Sequence, residues 1–215
     1  IAMTTRIALG MDHSHYSYSP MHKRGPLAWP EGRRIAFWVM LHIEHGELCP
    51  PEASFREPRF VGAFGSLEPD FATWAQREYG NRVGIFRVLE VLDRHGIGAS
   101  VALNSSAADR YPRLTRECRL RDYEFLGHGS HATRMITSRM AEEEERAVIG
   151  EALDTLERTT GAGVRPRGWH GQDFGESQRT PRLLAEAGLD FVADWPNDDQ
   201  PYPMKVKKGK MFSIP

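Results

Sequence analysis

Short apolar runs recur along the chain, and each is followed at once by polar residues rich in histidine. The runs are Arg33–Leu41, Tyr123–Leu126, the residues that lead into Gly168-Trp169, and Leu189–Ala193. Between them, residues 83–92 and 147–156 carry apolar positions at helical spacing. Buried strands that alternate with amphipathic helices pair in parallel, with the helices outside. The pattern therefore predicts an α/β fold.

Polar side chains that can act as acids, bases or ligands cluster where these runs end. They are Glu44, His45, His128, His131, His170 and Asp194. A further strand, predicted over 97–103, ends at Asn104. Because the carboxyl ends of parallel strands lie on one face of a barrel or open sheet, we expect these residues to form an active site.

Helix signals separate the predicted strands. One helix is expected to begin at Ser105 or Ser106 and to break at Pro112, because proline removes a helical hydrogen bond. A second is expected from Ser138 to Gly161, with acidic residues in its first turns. A third should begin at Thr180-Pro181, since proline is favoured at the first helical position.

Two segments of the chain lack any such period. Residues 1–32 are predicted to form an N-terminal arm, and residues 48–80 an irregular insertion in a domain that extends over 33–215. Long segments of this kind in a compact domain are usually functional or disordered. The aromatic residues of 48–80 favour a roof over the site. Residues 211–215 resemble the start of a strand, so we expect further residues in the native protein.

Composition excludes several classes of partner. The 215 residues include 28 basic and 29 acidic side chains, so there is no basic excess for nucleic acid. The only cysteines, Cys49 and Cys118, form no paired motif, which favours a reducing compartment. No signal peptide is recognisable in Ile1–Asp12, and the apolar stretch Ile35–Leu41 is too short for a membrane. A cytoplasmic protein is expected, and association into a homo-oligomer is left open.

Three motifs follow one another in a fixed order. They are Ile43-Glu44-His45-Gly46, Tyr123-Glu124 with His128, and Thr160-Gly161 with Pro166 and Trp169. In this order they resemble the polysaccharide deacetylase family. Gly127-His128-Gly129 and the segment from Asp194-Trp195 to Asp199 are similar to the branch of metal-independent allantoinases. The resemblance implies a distorted (β/α) barrel of seven strands, whose last elements and final histidine motif a chain ending at Pro215 would lack.

The same resemblance implies roles for the motif residues. Glu44 stands at the first acidic position, which is the general base in deacetylases, and His45 stands where a metal-binding aspartate is expected. His128 matches the first histidine of the second motif. The second histidine of that motif is replaced by Ala132, with His131 one place early. These departures leave two readings open: a site without metal, or one divalent ion, zinc first, bound by His45, His128 and His131.

The remaining candidates are assigned from their chemistry. His170 is expected to stabilise an oxyanion or donate a proton, and Asp194 to orient it. Expected substrate contacts are Trp169, Trp195, Asn104 and Asp198. The alternatives are a packed aromatic for Trp169, a helix or loop cap for Asn104, and plain turn chemistry for the segment around Asp198.

These observations lead to a functional hypothesis. The chain is predicted to be a hydrolase of carbon–nitrogen bonds other than peptide bonds, in which Glu44 activates a water that attacks a small amide, cyclic amide or ureide. His128 would orient that water or bind a metal. The alternatives are a metal-dependent N-deacetylase of an acetylated sugar and a non-catalytic barrel that binds a small ligand or partner.

Overall fold

A seven-stranded sheet forms the centre of the protein. The computed structural model describes residues 9–52, 54, 69–161, 163 and 165–215. The strands are β1 (Met40–Ile43), β2 (Ser100–Leu103), β3 (Glu124–Gly127), β4 (Gly168–Trp169), β5 (Phe191–Val192), β6 (Tyr202–Pro203) and β7 (Phe212–Ser213). Their order is β1-β2-β3-β4-β5-β7-β6, and every pair is parallel except β6 with β7. The predicted α/β architecture is confirmed.

Helices connect the parallel strands. They are α1 (Phe71–Tyr79), α2 (Ile85–His95), α3 (Ser105–Arg110), α4 (Pro112–Arg119), α5 (Glu142–Thr159) and α6 (Thr180–Glu186). A π-helical turn over Gly80–Gly84 joins α1 to α2. Helix α1 begins where the Asp70 side chain accepts the backbone N–H of Thr73 at 3.0 Å. Helix α2 ends at Gly96, whose φ of 62° is the left-handed conformation that glycine adopts readily.

Two apolar clusters pack against the sheet. One joins β1 and β2 to α2, α3 and α4, and includes the fully buried Val101 and Leu103. The other joins β4 and β5 to α5 and α6, and includes Leu153, Trp169 and Leu184. The helices predicted from periodicity supply Leu89 and Leu92 to the first cluster and Leu153 to the second, because their apolar stripes are the surfaces that leave water. Phe86 and Val88, also expected on the buried face of α2, are 37% and 42% exposed.

The first predicted strand is wrong in its extent. It was expected over Arg33–Leu41, but β1 begins at Met40, and residues 33–38 are exposed. Ile35 and Phe37 are 79% and 76% exposed. The register explains the difference, since β2 starts at Ser100 opposite Met40 and offers no pairing partner to the earlier residues. An apolar sequence becomes a strand only where a neighbouring strand accepts its hydrogen bonds.

Other boundaries differ from expectation in smaller ways. The insertion 48–80, predicted to be irregular, contains helix α1 and ends at the first residue of the π-helical turn, while residues 53 and 55–68 lie outside the described part of the chain. The predicted helix from Ser138 begins only at Glu142. The break at Pro112 is confirmed, since α3 ends at Arg110 and α4 starts at Pro112.

The N-terminal arm, in its described residues 9–32, packs along the segment that follows β5. The backbone carbonyl of His15 accepts the N–H of Lys205 at 2.6 Å. Arg24 forms an ion pair with Asp198 at 2.6 Å. The arm is therefore fixed to its own chain by main-chain and side-chain contacts. Among the described helices, none has the length and apolar character that crossing a membrane requires.

Candidate active site

Four strands deliver polar side chains to the same edge of the sheet. Glu44 follows β1, His128 follows β3, His170 follows β4, and Asp194 lies two residues beyond β5. Parallel pairing places these strand ends side by side, as the sequence pattern predicts. Gly127 permits the close approach of β3 and β4, because a Cβ atom there would lie 2.5 Å from the Trp169 ring.

Glu44 and His128 form the first carboxylate–histidine pair. Glu44 Oε1 lies 2.8 Å from His128 Nε2, and the His128 side chain is fully buried. His128 Nδ1 donates to the backbone carbonyl of His170, so Nε2 needs a second proton in order to donate to Glu44. Burial alone would raise the pKa of Glu44, but the His128 hydrogen bond and nearby positive charge outweigh it and lower that pKa. The Glu44 carboxylate is therefore ionised near neutral pH, and it lies within hydrogen-bonding distance of a fully buried imidazole.

His42 lies next to this pair, on β1 itself. Its ring centroid is 5.4 Å from that of His128 and 4.9 Å from that of His170. The surrounding chain removes water from the ring and lowers the pKa of His42 to about 4, although part of the side chain reaches solvent. The charges of His128 and His170 act in the same direction. His42 is therefore a neutral imidazole near neutral pH, with a lone pair available to a ligand.

The residues around Glu44 fit a divalent metal ion. One ligand atom each from His42, Glu44 and His128 lies within 4.8 Å of the others. Two imidazole nitrogens and one carboxylate oxygen are a known donor set of catalytic zinc sites. A cation between Glu44 Oε1 and His128 Nε2 would be bound by both of these atoms. Within the described ranges, this is the group of histidine, cysteine and acidic residues that comes together closely enough for a metal.

The three histidines predicted as ligands are divided between two places. His45 and His131 are neighbours, with ring centroids 5.4 Å apart, whereas His128 belongs with Glu44. His45 Nδ1 lies 3.3 Å from Ser106 Oγ, and the backbone carbonyl of His45 accepts the N–H of Ala132. Burial lowers the pKa of both His45 and His131. They flank the Glu44 group rather than complete it.

His170 and Asp194 form a second carboxylate–histidine pair. His170 Nδ1 lies 2.8 Å from Asp194 Oδ1 and 3.1 Å from the carbonyl of Ala193, so this nitrogen carries a proton. Asp194 also accepts the backbone N–H of Gly171, at 2.8 and 2.9 Å from its two oxygens. These bonds fix the tautomer of His170 and leave Nε2 as the nitrogen that can act on a substrate.

The four predicted substrate contacts have different surroundings. Asn104 is fully buried, where its side chain accepts the N–H of His45 and donates to the carbonyl of His128. Trp169 is fully buried in the core. Both positions are unfavourable for contact with a substrate. Asp198 holds Arg24 of the arm, and Trp195 is half-buried beside the site.

Two residues of the site were not predicted from the sequence. His42 could have been found from strand alternation, because its neighbours Leu41 and Ile43 are buried and it points to the other face. Glu176 accepts the indole N–H of Trp195 at 2.9 Å and lies beside Asp194. It comes from an irregular segment, and no local pattern distinguishes it from a surface glutamate.

Comparison with known proteins gives a match at the level of structure. No family model matches the chain, and no curated protein matches its sequence. A protein from Pseudomonas aeruginosa PAO1 described as a polysaccharide deacetylase has a TM-score of 0.75 and 26% identity over 91% of this chain. Puue allantoinase has a TM-score of 0.75 and 25% identity over 93% of it.

A third structure, described as a polysaccharide deacetylase from Mycobacterium smegmatis, has a TM-score of 0.72 and 24% identity over 89% of the chain. The chain spans between 62% and 69% of the lengths of these three proteins. The names of the neighbours agree with the predicted class of carbon–nitrogen hydrolase. The predicted resemblance is confirmed: the chain has the distorted (β/α) barrel fold that polysaccharide deacetylases share with Puue allantoinase.

Proposed function

We propose that this site hydrolyses a carbon–nitrogen bond of a small amide, cyclic amide or ureide, with Glu44 as the general base. The observation that supports it most is the Glu44–His128 pair, in which an ionised carboxylate is partly open to solvent while its partner is fully buried. A carboxylate held in this way can accept a proton from a water bound in the cleft.

The reaction follows from the two pairs. Glu44 removes a proton from the attacking water, and the water oxygen forms a bond to the carbonyl carbon. The carbonyl π electrons move to oxygen, where we expect His170, oriented by Asp194, to stabilise the negative charge through Nε2. When the carbon–nitrogen bond breaks, the nitrogen takes the proton that Glu44 removed. The products are a carboxylic acid and an amine, or one ring-opened acid when the amide is cyclic.

A small cyclic substrate is the first choice of class. Puue allantoinase, whose name specifies a cyclic ureide, is similar over 93% of this chain. The ring centroids of three histidines, His42, His128 and His170, lie within 5.4 Å of one another. A compact polar ring with several N–H and C=O groups suits such surroundings. The aromatic roof expected from 48–80 falls mostly on residues outside the described part of the chain. A cytoplasmic location and the absence of nucleic-acid and membrane partners remain parts of the proposal.

His42, Glu44 and His128 would hold a divalent ion, with zinc as the first candidate. A bound ion would polarise the substrate carbonyl and lower the pKa of water in the cleft. This donor set favours a second candidate function, removal of an acetyl group from an N-acetylated sugar, since two of the structural neighbours are described as polysaccharide deacetylases. The two candidates differ in substrate and share the proposed residues.

The test is hydrolysis in water enriched in ¹⁸O. Purified protein is incubated with allantoin, hydantoin, succinimide and N-acetylglucosamine oligomers, with and without added zinc, and products are analysed by mass spectrometry. We expect one solvent oxygen in the acid produced from a cyclic ureide or imide, and none with the Glu44→Gln variant. Acetate production from the sugars alone would favour the second candidate. Absence of turnover with all four substrates under both conditions would contradict the proposed function.

A further inference from the structure

The arm encloses Trp195 with aromatic rings. The centroids of His13 and His15 each lie 5.4 Å from that of Trp195, and the Tyr16 centroid lies 5.9 Å away, all in edge-to-face geometry. Such contacts orient an indole more strictly than apolar burial alone. The indole N–H then donates to Glu176 Oε2 at 2.9 Å. The arm thus fixes the position of the indole N–H that donates to Glu176.

Glu176 also lies beside Asp194, within reach of a hydrogen bond between the two carboxyl groups. Glu176 Oε1 is buried, and no group that carries a proton of its own is within hydrogen-bonding reach of it in the described structure. Asp194 already accepts from His170 Nδ1 and from the N–H of Gly171, so a hydrogen bond between the two carboxyl groups requires a donor on Glu176. Two adjacent carboxyl groups shielded from water cannot both be charged. Glu176 therefore carries the proton that lies between them.

The direction of the Glu176 pKa agrees with this assignment. Burial raises it most, the charge of Asp194 and the hydrogen bond to Asp194 raise it further, and it reaches about 10. At neutral pH a neutral carboxylic acid is present here, a donor toward Asp194 and an acceptor toward Trp195. This role requires one hydrogen-bond donor and one acceptor at the end of the side chain. A neutral glutamate provides both, and so does a glutamine.

We propose that Glu176 is a positioning residue, which donates a hydrogen bond to Asp194 and so holds the Asp194 carboxylate against His170. The line of contacts runs from the arm through Trp195, Glu176 and Asp194 to His170. Glu176 acts through the orientation of His170, and the arm is part of the support of the site.

Glu176→Gln and Glu176→Ala are the variants that test the proposal. Glutamine can donate to Asp194 and accept from Trp195, whereas alanine leaves both without a partner. Infrared difference spectra between wild type and Glu176→Gln at neutral pH should contain the C=O band of a protonated carboxyl group, which the wild type has and the variant lacks. Proton NMR should contain the downfield signal of His170 Nδ1–H in wild type and Glu176→Gln, and this signal should broaden or shift in Glu176→Ala.

The activity measurement rests on the proposed function, and the two spectroscopic ones do not. With a substrate that is turned over, we expect Glu176→Ala to lower kcat by about 10- to 100-fold with little change in KM, the usual scale for residues that orient a functional group. Glu176→Gln should restore most of that loss. If the wild type hydrolyses nothing, the proposed function fails while infrared and NMR still test Glu176.

A second variant covers the case in which Glu176→Ala does not fold. Trp195→Phe keeps an aromatic ring inside the arm contacts and removes the N–H that Glu176 accepts, so a smaller loss of kcat and a shifted His170 signal are expected. A missing carboxylic acid band in wild type would overturn the proposal. So would a Glu176→Gln variant as impaired as Glu176→Ala, since that result requires an ionised carboxylate.

Discussion

The site contains two carboxylate–histidine pairs of the same length in very different surroundings. Glu44 and His128 are 2.8 Å apart, and so are Asp194 and His170. The Glu44 side chain is 36% exposed, whereas that of Asp194 is 1% exposed. Asp194 also accepts a backbone N–H, and the Glu176 carboxyl group, whose pKa burial raises to about 10, lies beside it.

The different environments suit the two pairs to different chemical roles. A carboxylate that reaches water can exchange protons with it during a reaction, which suits a base. A carboxylate surrounded by fixed donors keeps its charge and its position, which suits the orientation of a histidine. Distance alone would have made the pairs equivalent, and exposure distinguishes them.

The largest effect is expected from Glu44→Gln. Removal of the base should lower kcat by about 10²- to 10⁴-fold, the usual contribution of a positioned proton acceptor. Steady-state kinetics on a substrate identified by the ¹⁸O experiment measures it. Glu90→Gln on the exposed side of α2, where Glu90 pairs with Arg94, is the matched control and should leave kcat unchanged. A Glu44→Gln enzyme with more than a tenth of the wild-type rate would remove Glu44 from the role of base.

A smaller loss, on the order of 10²-fold in kcat, is expected from Asp194→Asn. His170 Nδ1 and the Gly171 N–H both lie 2.8 Å from Asp194 Oδ1, so an amide oxygen there can keep these contacts, but asparagine loses the second acceptor of Gly171 and the negative charge that faces His170. The NMR signal of His170 Nδ1–H should move upfield or disappear. An unchanged signal together with an unchanged rate would show that His170 keeps its orientation without Asp194.

Zinc affinity should depend on the group around Glu44 and His128 and not on the neighbouring His45 and His131. His42→Ala should weaken zinc affinity by more than about 10-fold, since even groups that only orient metal ligands contribute that much. His45→Ala, a histidine of the adjacent group, should leave it nearly unchanged, because His45 pairs with His131. Isothermal titration calorimetry on protein stripped of metal measures both. Equal weakening by the two substitutions would favour the ligand set expected from the motif order.

The smallest expected effect concerns the buried pair. It is a change with pH in the free energy of unfolding. The pKa of Glu176 is raised from 4.5 to about 10 in the folded protein, so the folded state keeps a proton that the unfolded chain releases. Between these values the free energy of unfolding should fall as pH rises, by at most about 1.4 kcal/mol per pH unit. Below 4.5 this contribution is fully present, and above 10 it is lost.

Glu176→Gln cannot titrate and should lack that slope. Urea unfolding of wild type and variant, repeated from pH 5 to pH 9, should give a stability difference that grows in favour of glutamine as pH rises. A difference independent of pH would mean that Glu176 is ionised in the folded protein. Glu151→Gln, on the exposed side of α5, controls for the general effect of removing a negative charge.

Much of the site could be predicted because its residues follow strands that are visible in the sequence. Glu44, His128, His170 and Asp194 each come directly after an apolar run, and parallel pairing brings them to one edge. Periodicity located α2 and α5 for the same reason, since their apolar stripes are local patterns. What could be predicted was therefore the set of strand ends and the side of the sheet they share.

The remainder depends on contacts that no local pattern specifies. The separation of His45 and His131 from His128 results from the path of the loop after β3, where Ala132 bonds back to His45. Residues 33–38 have the composition of a strand but lack a partner in the register of β1 with β2. Glu176 joins the site only through the fold, because Trp195 and Asp194 reach it from 19 and 18 positions further along the chain.

Asn104 links the assembly of the sheet to the order of folding events. Its amide joins the N–H of His45, 59 positions earlier, to the carbonyl of His128, 24 positions later. Glu44 and His128 are themselves 84 positions apart. Contacts between such distant parts of a chain require long loops to close first, and they slow folding. The paired side chains can therefore meet only after β1, β2 and β3 are aligned, and the ¹H signals of His128 would appear among the last native resonances during refolding.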